Sequence, residues 1–391
     1  MRQNPPFPAW LWIVVALFGL GLFSLGLALV VVPYVFRQSL EMVALVISGY
    51  GLLCLALGIG LSVGGVRGWQ RRPSPRFYPR RGWLVFLLAG ILLACLAALL
   101  PKITQTDLVF SLFHFALIGL PGLFLFSLLS LAAGSDVAMS LRQWVVAAAA
   151  GASTIVVAIP AELIGLLASA TVGAGATLLL PGGADRIADL MRVLERWSER
   201  PPTDETEILA ILASPTVLIT LVLTLAVITP VVEELGKTLL LGVVGIWRRP
   251  SLAASFVWGA ACGLGFAWLE GISNGAIGLT GTGAWLGGVG LRVFATAMHC
   301  MTSGVVGLGW GWFWQGHRWR LPLAYAVAII FHGLWNFAVV LGLGGVGLTG
   351  SAPGVGFIAI AVGVLLEVSL AAGAMAGLVA IPLALRKRAV A

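Results

Sequence analysis

The stretch that decides the fold is residues 217–247, VLITLVLTLAVITPVVEELGKTLLLGVVGIW. It is longer than the roughly 20 apolar residues a helix needs to cross the hydrocarbon core. Yet Glu233, Glu234 and Lys237 stand inside it. Working outward, comparable apolar runs lie at about 9–36, 43–66, 83–101, 108–134, 144–170, 251–279, 284–314, 321–345 and 355–385. The reading is an all-α, polytopic transmembrane helical bundle of about ten spans. The fifth run continues to Leu180 and holds Pro160 and Glu162, so it is expected to kink, re-enter or run past the membrane. The first run is too long for a signal-peptide core and reads as a retained helix.

Composition agrees. Of 391 residues, 60% are hydrophobic and 10% charged, with a mean hydropathy of +1.04. A soluble protein carries about 25% charged residues, so a soluble enzyme, a secreted disulfide scaffold and a disordered chain are excluded. Cys54, Cys95, Cys262 and Cys300 lie in apolar runs with no CxxC spacing, so neither a disulfide framework nor a cysteine zinc site is expected.

Net charge is +8, with a pI near 9.9. The charge pattern reads as topology, with no nucleic acid implied. The 67–82 loop carries Arg67, Arg71, Arg72, Arg76, Arg80 and Arg81 and no acid, which makes it cytoplasmic by the positive-inside rule. Alternation from there puts Arg2, Arg142, Arg248 with Arg249, Arg318 with Arg320, and Arg386-Lys387-Arg388 on the same side. Arg37 with Glu41, Lys102 with Asp107, and the 181–215 segment, with seven acids, fall opposite. Both termini are then cytoplasmic. In 181–215, Ile187, Leu190, Met191, Leu194 and Trp197 recur at helical spacing and predict an amphipathic interfacial helix ended by Pro201-Pro202. Three regions follow: an N-terminal membrane region of about five helices (1–180), this extracytoplasmic segment (181–215), and a second membrane domain of about five helices (216–391).

Ionisable groups at membrane depth cost about 2.5–3.5 kcal/mol each on insertion scales, so they mark function by default. The first half offers His114, which reads as a packed, hydrogen-bonded residue, and Glu162; Glu367 in the last span is similar. The second half differs. Glu233, Glu234 and Lys237 lie on one span, Phe266, Glu270 and Asn274 on the next, Arg292, His299 and Thr302 on the third, and His332 and Asn336 on the fourth. At 1.5 Å per residue from the nearest cytoplasmic arginine, Glu233, His332, His299 and Glu270 lie about 22, 18, 28 and 30 Å deep.

Lys237 follows Glu233 by four residues and Glu234 by three, so it can reach either carboxylate. Two adjacent carboxylates in low dielectric resist joint ionisation, and Lys237 can hold one ionised. Glu233 is then the expected general base that activates water. His299 and His332 would polarise the scissile carbonyl, shuttle protons or ligate a metal. Glu270 completes the polar site, Arg292 can pair with it, and Asn336 can orient His332 or donate to an oxyanion. No HExxH occurs. Carboxylates with histidines can activate water directly or hold a divalent ion such as zinc, with Glu233, Glu270, His299 and His332 as candidate ligands. A transporter would also place Glu, His and Lys at mid-membrane, but it predicts repeats in both halves. A non-catalytic scaffold with the same fold is the other alternative.

Glu233-Glu234-x-x-Lys237, the run Gly263-Leu-Gly-Phe266-Ala-Trp-Leu-Glu270, Arg292 ahead of His299-x-x-Thr302, and His332-x-x-x-Asn336 resemble the motif series of PrsW-type intramembrane proteases. The resemblance covers about 217–345. It implies an intramembrane endopeptidase of the CAAX-protease and bacteriocin-processing superfamily, in the cytoplasmic membrane of a prokaryote. It further implies a single-pass, anti-sigma-factor-like membrane-protein substrate and a signalling role. Glu233, Glu234, Glu270, His299 and His332 are its implied centre, supported by Lys237 and Asn336. The pattern often has Asn directly after the third Glu; here Gly271 follows, and the nearest amide is Asn274.

Overall fold

The computed structural model describes residues 9–35, 41–78, 81–99, 108–135, 137–200, 205–275 and 282–390. Arg2, Arg37, Arg80, Lys102, Asp107 and Pro201-Pro202, used above to assign sides and a helix end, lie outside the described residues. The helices in chain order are α1 (Ala9–Val35), α2 (Glu41–Trp69), α3 (Gly82–Leu99), α4 (Leu108–Ala133), α5 (Leu141–Ser153), α6 (Ile155–Leu178), α7 (Gly183–Glu199), α8 (Glu205–Leu212) and α9 (Pro215–Leu221). A π-helical turn over Val222–Ile228 follows. Then come α10 (Thr229–Lys237), α11 (Leu239–Arg248), α12 (Leu252–Asn274), α13 (Thr282–Trp314), α14 (Arg320–Leu348) and α15 (Pro353–Val390). No strand occurs among the described residues.

Nine helical stretches among the described residues are long and apolar enough to cross a membrane, and Gly82–Ala98 is a shorter apolar helix beside them. Helices are the natural outcome, because a spanning segment must satisfy its backbone hydrogen bonds internally. The fifth run does break. The interruption falls at Thr154, between α5 and α6, while Pro160 is carried inside α6. The amphipathic pattern of the 181–215 segment becomes α7; Ile187, Leu190 and Trp197 are half-buried, whereas Met191 and Leu194 stay exposed.

Two compact units interleave along the chain: 1–154 with 237–325 and 374–391, and 155–236 with 326–373. In the first unit α12 is the central helix, contacted by α2, α4, α5 and α13. Small residues let the backbones close on it. A Cβ at Gly263 would stand 2.2 Å from the His299 carbonyl oxygen, and one at Gly151 only 1.8 Å from that of Cys262. The Arg-rich loop after α2 is tied to the loop before α5. Phe77 N–H donates to Met139 O and Leu141 N–H to Pro75 O, each at 2.7 Å. Phe77 also stacks on Trp144 at 5.1 Å. The loop following α2 and the start of α5 therefore share one end of this unit.

His114 is a satisfied core residue, as expected. Trp285 Nε1–H donates to its Nδ1 at 3.0 Å, and its Nε2 meets the Ile272 carbonyl at 2.9 Å.

In the second unit α6 packs on α9 and the π-helical turn. Thr216 donates to Thr177 at 2.7 Å. Gly363 sits where a Cβ would come within 2.8 Å of the Ala338 carbonyl oxygen, which brings α15 close to α14. Glu162 and Glu367 are half-buried on α6 and α15.

Candidate active site

The candidate residues form a polar cluster in each unit. In the first unit the cluster is built by α12, α13 and the last residue of α10. His299 is 1% exposed. Its Nε2 lies 2.6 Å from Glu270 Oε2, and its Nδ1 lies 2.9 Å from Lys237 Nζ. An ammonium can only donate, so Nδ1 carries the ring's lone pair and Nε2 carries the proton, which it gives to Glu270. Glu270 is held from three sides. Besides His299, Arg292 forms a two-pronged pair with it at 2.8 and 3.5 Å, and Asn274 Nδ2 donates to Oε1 at 2.8 Å. The amide missing immediately after the third glutamate is thus supplied one helical turn later, from Asn274 on the same face. Arg292 pairs inward with Glu270. Lys237 Nζ also sits 4.1 Å over the Phe266 ring, a cation–π contact. Thr302 turns its hydroxyl onto its own helix, to the carbonyls of Met298 and His299.

In the second unit the cluster is built by α10 and α14. Glu233 and Glu234 are buried, as is His332. His332 Nδ1 bonds Glu234 Oε1 at 2.9 Å, while its Nε2 faces Glu233 Oε2 at 3.8 Å. The carboxylate partner assigns the proton to Nδ1, leaving the lone pair on Nε2. Adjacent glutamates thereby take different places: Glu234 meets Nδ1 of the ring, and Glu233 faces Nε2. Asn336 Nδ2 donates to the Leu225 carbonyl at 2.8 Å, so this amide serves the backbone of the π-helical turn.

The two histidines thus share a pattern. Each meets a carboxylate at one ring nitrogen, while the other nitrogen meets Lys237 in His299 and faces Glu233 in His332. This is how metal-ligating histidines are held, the carboxylate fixing tautomer and ring direction. Neutral imidazoles with a buried glutamate are also a donor set suited to zinc, so the residues fit a divalent ion.

Sequence reasoning did not single out Gly333, where a Cβ would stand 2.5 Å from the Ala226 carbonyl oxygen. Nor did it single out Tyr325, whose hydroxyl is 3.2 Å from Thr238 Oγ1. A glycine among many and a lone tyrosine carry no motif.

A polytopic helical membrane protein with buried Glu/His clusters is the class these features define. The chain belongs to the PrsW family of intramembrane metalloproteases, whose family model matches residues 78–367. No curated protein and no solved structure matches it. The match starts well before the motif-bearing spans and takes in α3 to α6, beyond the 217–345 stretch on which the resemblance rested. The protein is an intramembrane peptidase embedded by multiple passes, and family membership weighs against the transport reading.

Proposed function

We propose that the chain hydrolyses a peptide bond in or near the transmembrane segment of a single-pass, anti-sigma-factor-like membrane protein, with Glu233, His299 and His332 at the reacting centre. The observation that carries this reading is the carboxylate-pinned state of both histidines, Glu234 behind His332 and Glu270 behind His299. Glu233 and His332 would hold the divalent ion, which would polarise the scissile carbonyl and make bound water more acidic. Glu233 takes a proton from the attacking water as its oxygen bonds to the scissile carbon. It then returns that proton to the departing amine as the carbon–nitrogen bond breaks. Glu234 and Glu270 keep the two imidazoles in the required tautomers. Arg292 and Asn274 hold Glu270 in place. The site operates in the cytoplasmic membrane of a prokaryote, with both chain termini cytoplasmic and a signalling role through the substrate.

The test combines two measurements. Elemental analysis of the purified full-length protein, with chelation and metal return, should give about one divalent ion per chain that disappears in the His299→Ala, His332→Ala double variant. Comparison of membrane-protein fragments between wild-type and Glu233→Gln cells should identify a fragment made only by the wild type. A metal-free protein with full, chelator-resistant activity would remove the ion from the mechanism. A fully active, normally folded Glu233→Gln protein would remove Glu233 from its role.

A further inference from the structure

The π-helical turn ahead of the two glutamates has an incomplete hydrogen-bond ladder. Within it the Thr229 N–H donates to the Thr224 carbonyl, five residues back. The next donor in that register would be residue 230, serving Leu225. Residue 230 is proline, which has no N–H. The Leu225 carbonyl instead accepts from Asn336 Nδ2, at 2.8 Å from α14. The neighbouring Ala226 carbonyl, which residue 230 would serve in an ordinary α-helix, is approached by Gly333, where any Cβ would come within 2.5 Å. His332, Gly333 and Asn336 share one face of α14. That face meets the π-helical turn through Asn336 and Gly333, and Glu234 through His332.

We infer that Asn336 is a positioning residue: its side-chain amide supplies the donor that Pro230 lacks and locks the register in which Glu233 and Glu234 meet His332. A π-helical turn inserts one residue into a helix. If it relaxed to α-helix, everything after it would rotate by about 100° and move about 1.5 Å. That rotation carries both carboxylates away from His332. In this arrangement the amide points at a backbone carbonyl. The positioning role rests on the reading of Glu233, Glu234 and His332 as the working site.

The experiment is a double-variant cycle on the full chain in lipid nanodiscs, with Asn336→Ala, Pro230→Ala and both together. Zinc affinity is measured by chelator competition and thermal unfolding is followed alongside. Asn336→Ala should weaken zinc binding about 10–100-fold, as loss of an outer-shell support does. Asn336→Asp, which has the shape without the amide donor, should match it. On the Pro230→Ala background, where the backbone regains its N–H, the further loss should shrink to less than about 3-fold. Wild-type zinc affinity in Asn336→Ala, or the same loss on both backgrounds, would overturn the inference. If the wild type binds no zinc, the metal reading fails separately and the cycle is read from melting temperatures. A destabilisation that vanishes with Pro230→Ala then supports the clip, and an equal one on both backgrounds overturns it.

Discussion

Lys237 Nζ lies 2.9 Å from His299 Nδ1 and 4.1 Å above the Phe266 ring. Helical spacing along one span puts Lys237 within reach of Glu233 or Glu234; these two contacts lie on two other helices. The ammonium fixes the tautomer of His299 from one side while Glu270 fixes it from the other. The ammonium therefore engages the lone pair of His299 Nδ1.

Replacing Phe266 by Leu should cost about 1–3 kcal/mol. The lost cation–π contact contributes about 0.5–2 kcal/mol, and the smaller side chain at a 1% exposed site adds a partial cavity. Reversible unfolding in mixed micelles reads the change. A stability equal to wild type would show that the contact contributes nothing.

Glu234→Gln tests the orienting carboxylate. The amide keeps the shape but loses the charge that holds the Nδ1 proton of His332 2.9 Å away. Metal affinity should fall about 10–100-fold with the fold intact. Unchanged affinity, measured by chelator competition, would place Glu234 outside the site.

Arg292→Leu leaves Glu270 with His299 and Asn274. The pair is only partly shielded, with side chains 14% and 24% exposed, so the full penalty for breaking a buried pair is discounted. A loss of about 1–3 kcal/mol is expected. Arg292→Lys should recover only part of it, because an ammonium does not reproduce the two-pronged geometry. Unfolding of both variants in the same detergent decides the point.

Gly263→Ala should disrupt the site from a distance. The added Cβ would fall 2.2 Å from the His299 carbonyl oxygen, so α13 must move away from α12 and take His299 with it. Gly287→Ala on the same helix α13 is the control. Nothing lies within 4 Å of its Cβ, and helix propensity favours alanine there by about 0.5–1 kcal/mol. Equal activity and stability of the two variants would contradict the close approach.

The membrane class, the helical fold and the candidate residues were legible in the chain. Long apolar runs admit no other spanning structure, and Glu, His and Lys inside them are too costly to be incidental. Pro160 and Glu162 pointed to a kink, a re-entry or an overrun of the fifth run, whereas the helix is interrupted at Thr154. A proline can be accommodated within a helix by its neighbours, so sequence could not locate the break.

Partnership was the part sequence withheld. Spacing along one helix reports which residues share a face, not which face of another helix they meet. Asn274 pairing with Glu270 lay within that reach, since both are on α12. Asn336 meeting Leu225, and Glu234 rather than Glu233 holding His332 Nδ1, did not. By itself the sequence determined that this is a multi-pass helical membrane protein with the ionisable groups at membrane depth concentrated on four spans, because burial of charge in lipid leaves few alternatives. Only the tertiary structure decided which nitrogen of each histidine keeps its lone pair and which amide completes the broken helix, because those depend on contacts between helices distant in sequence.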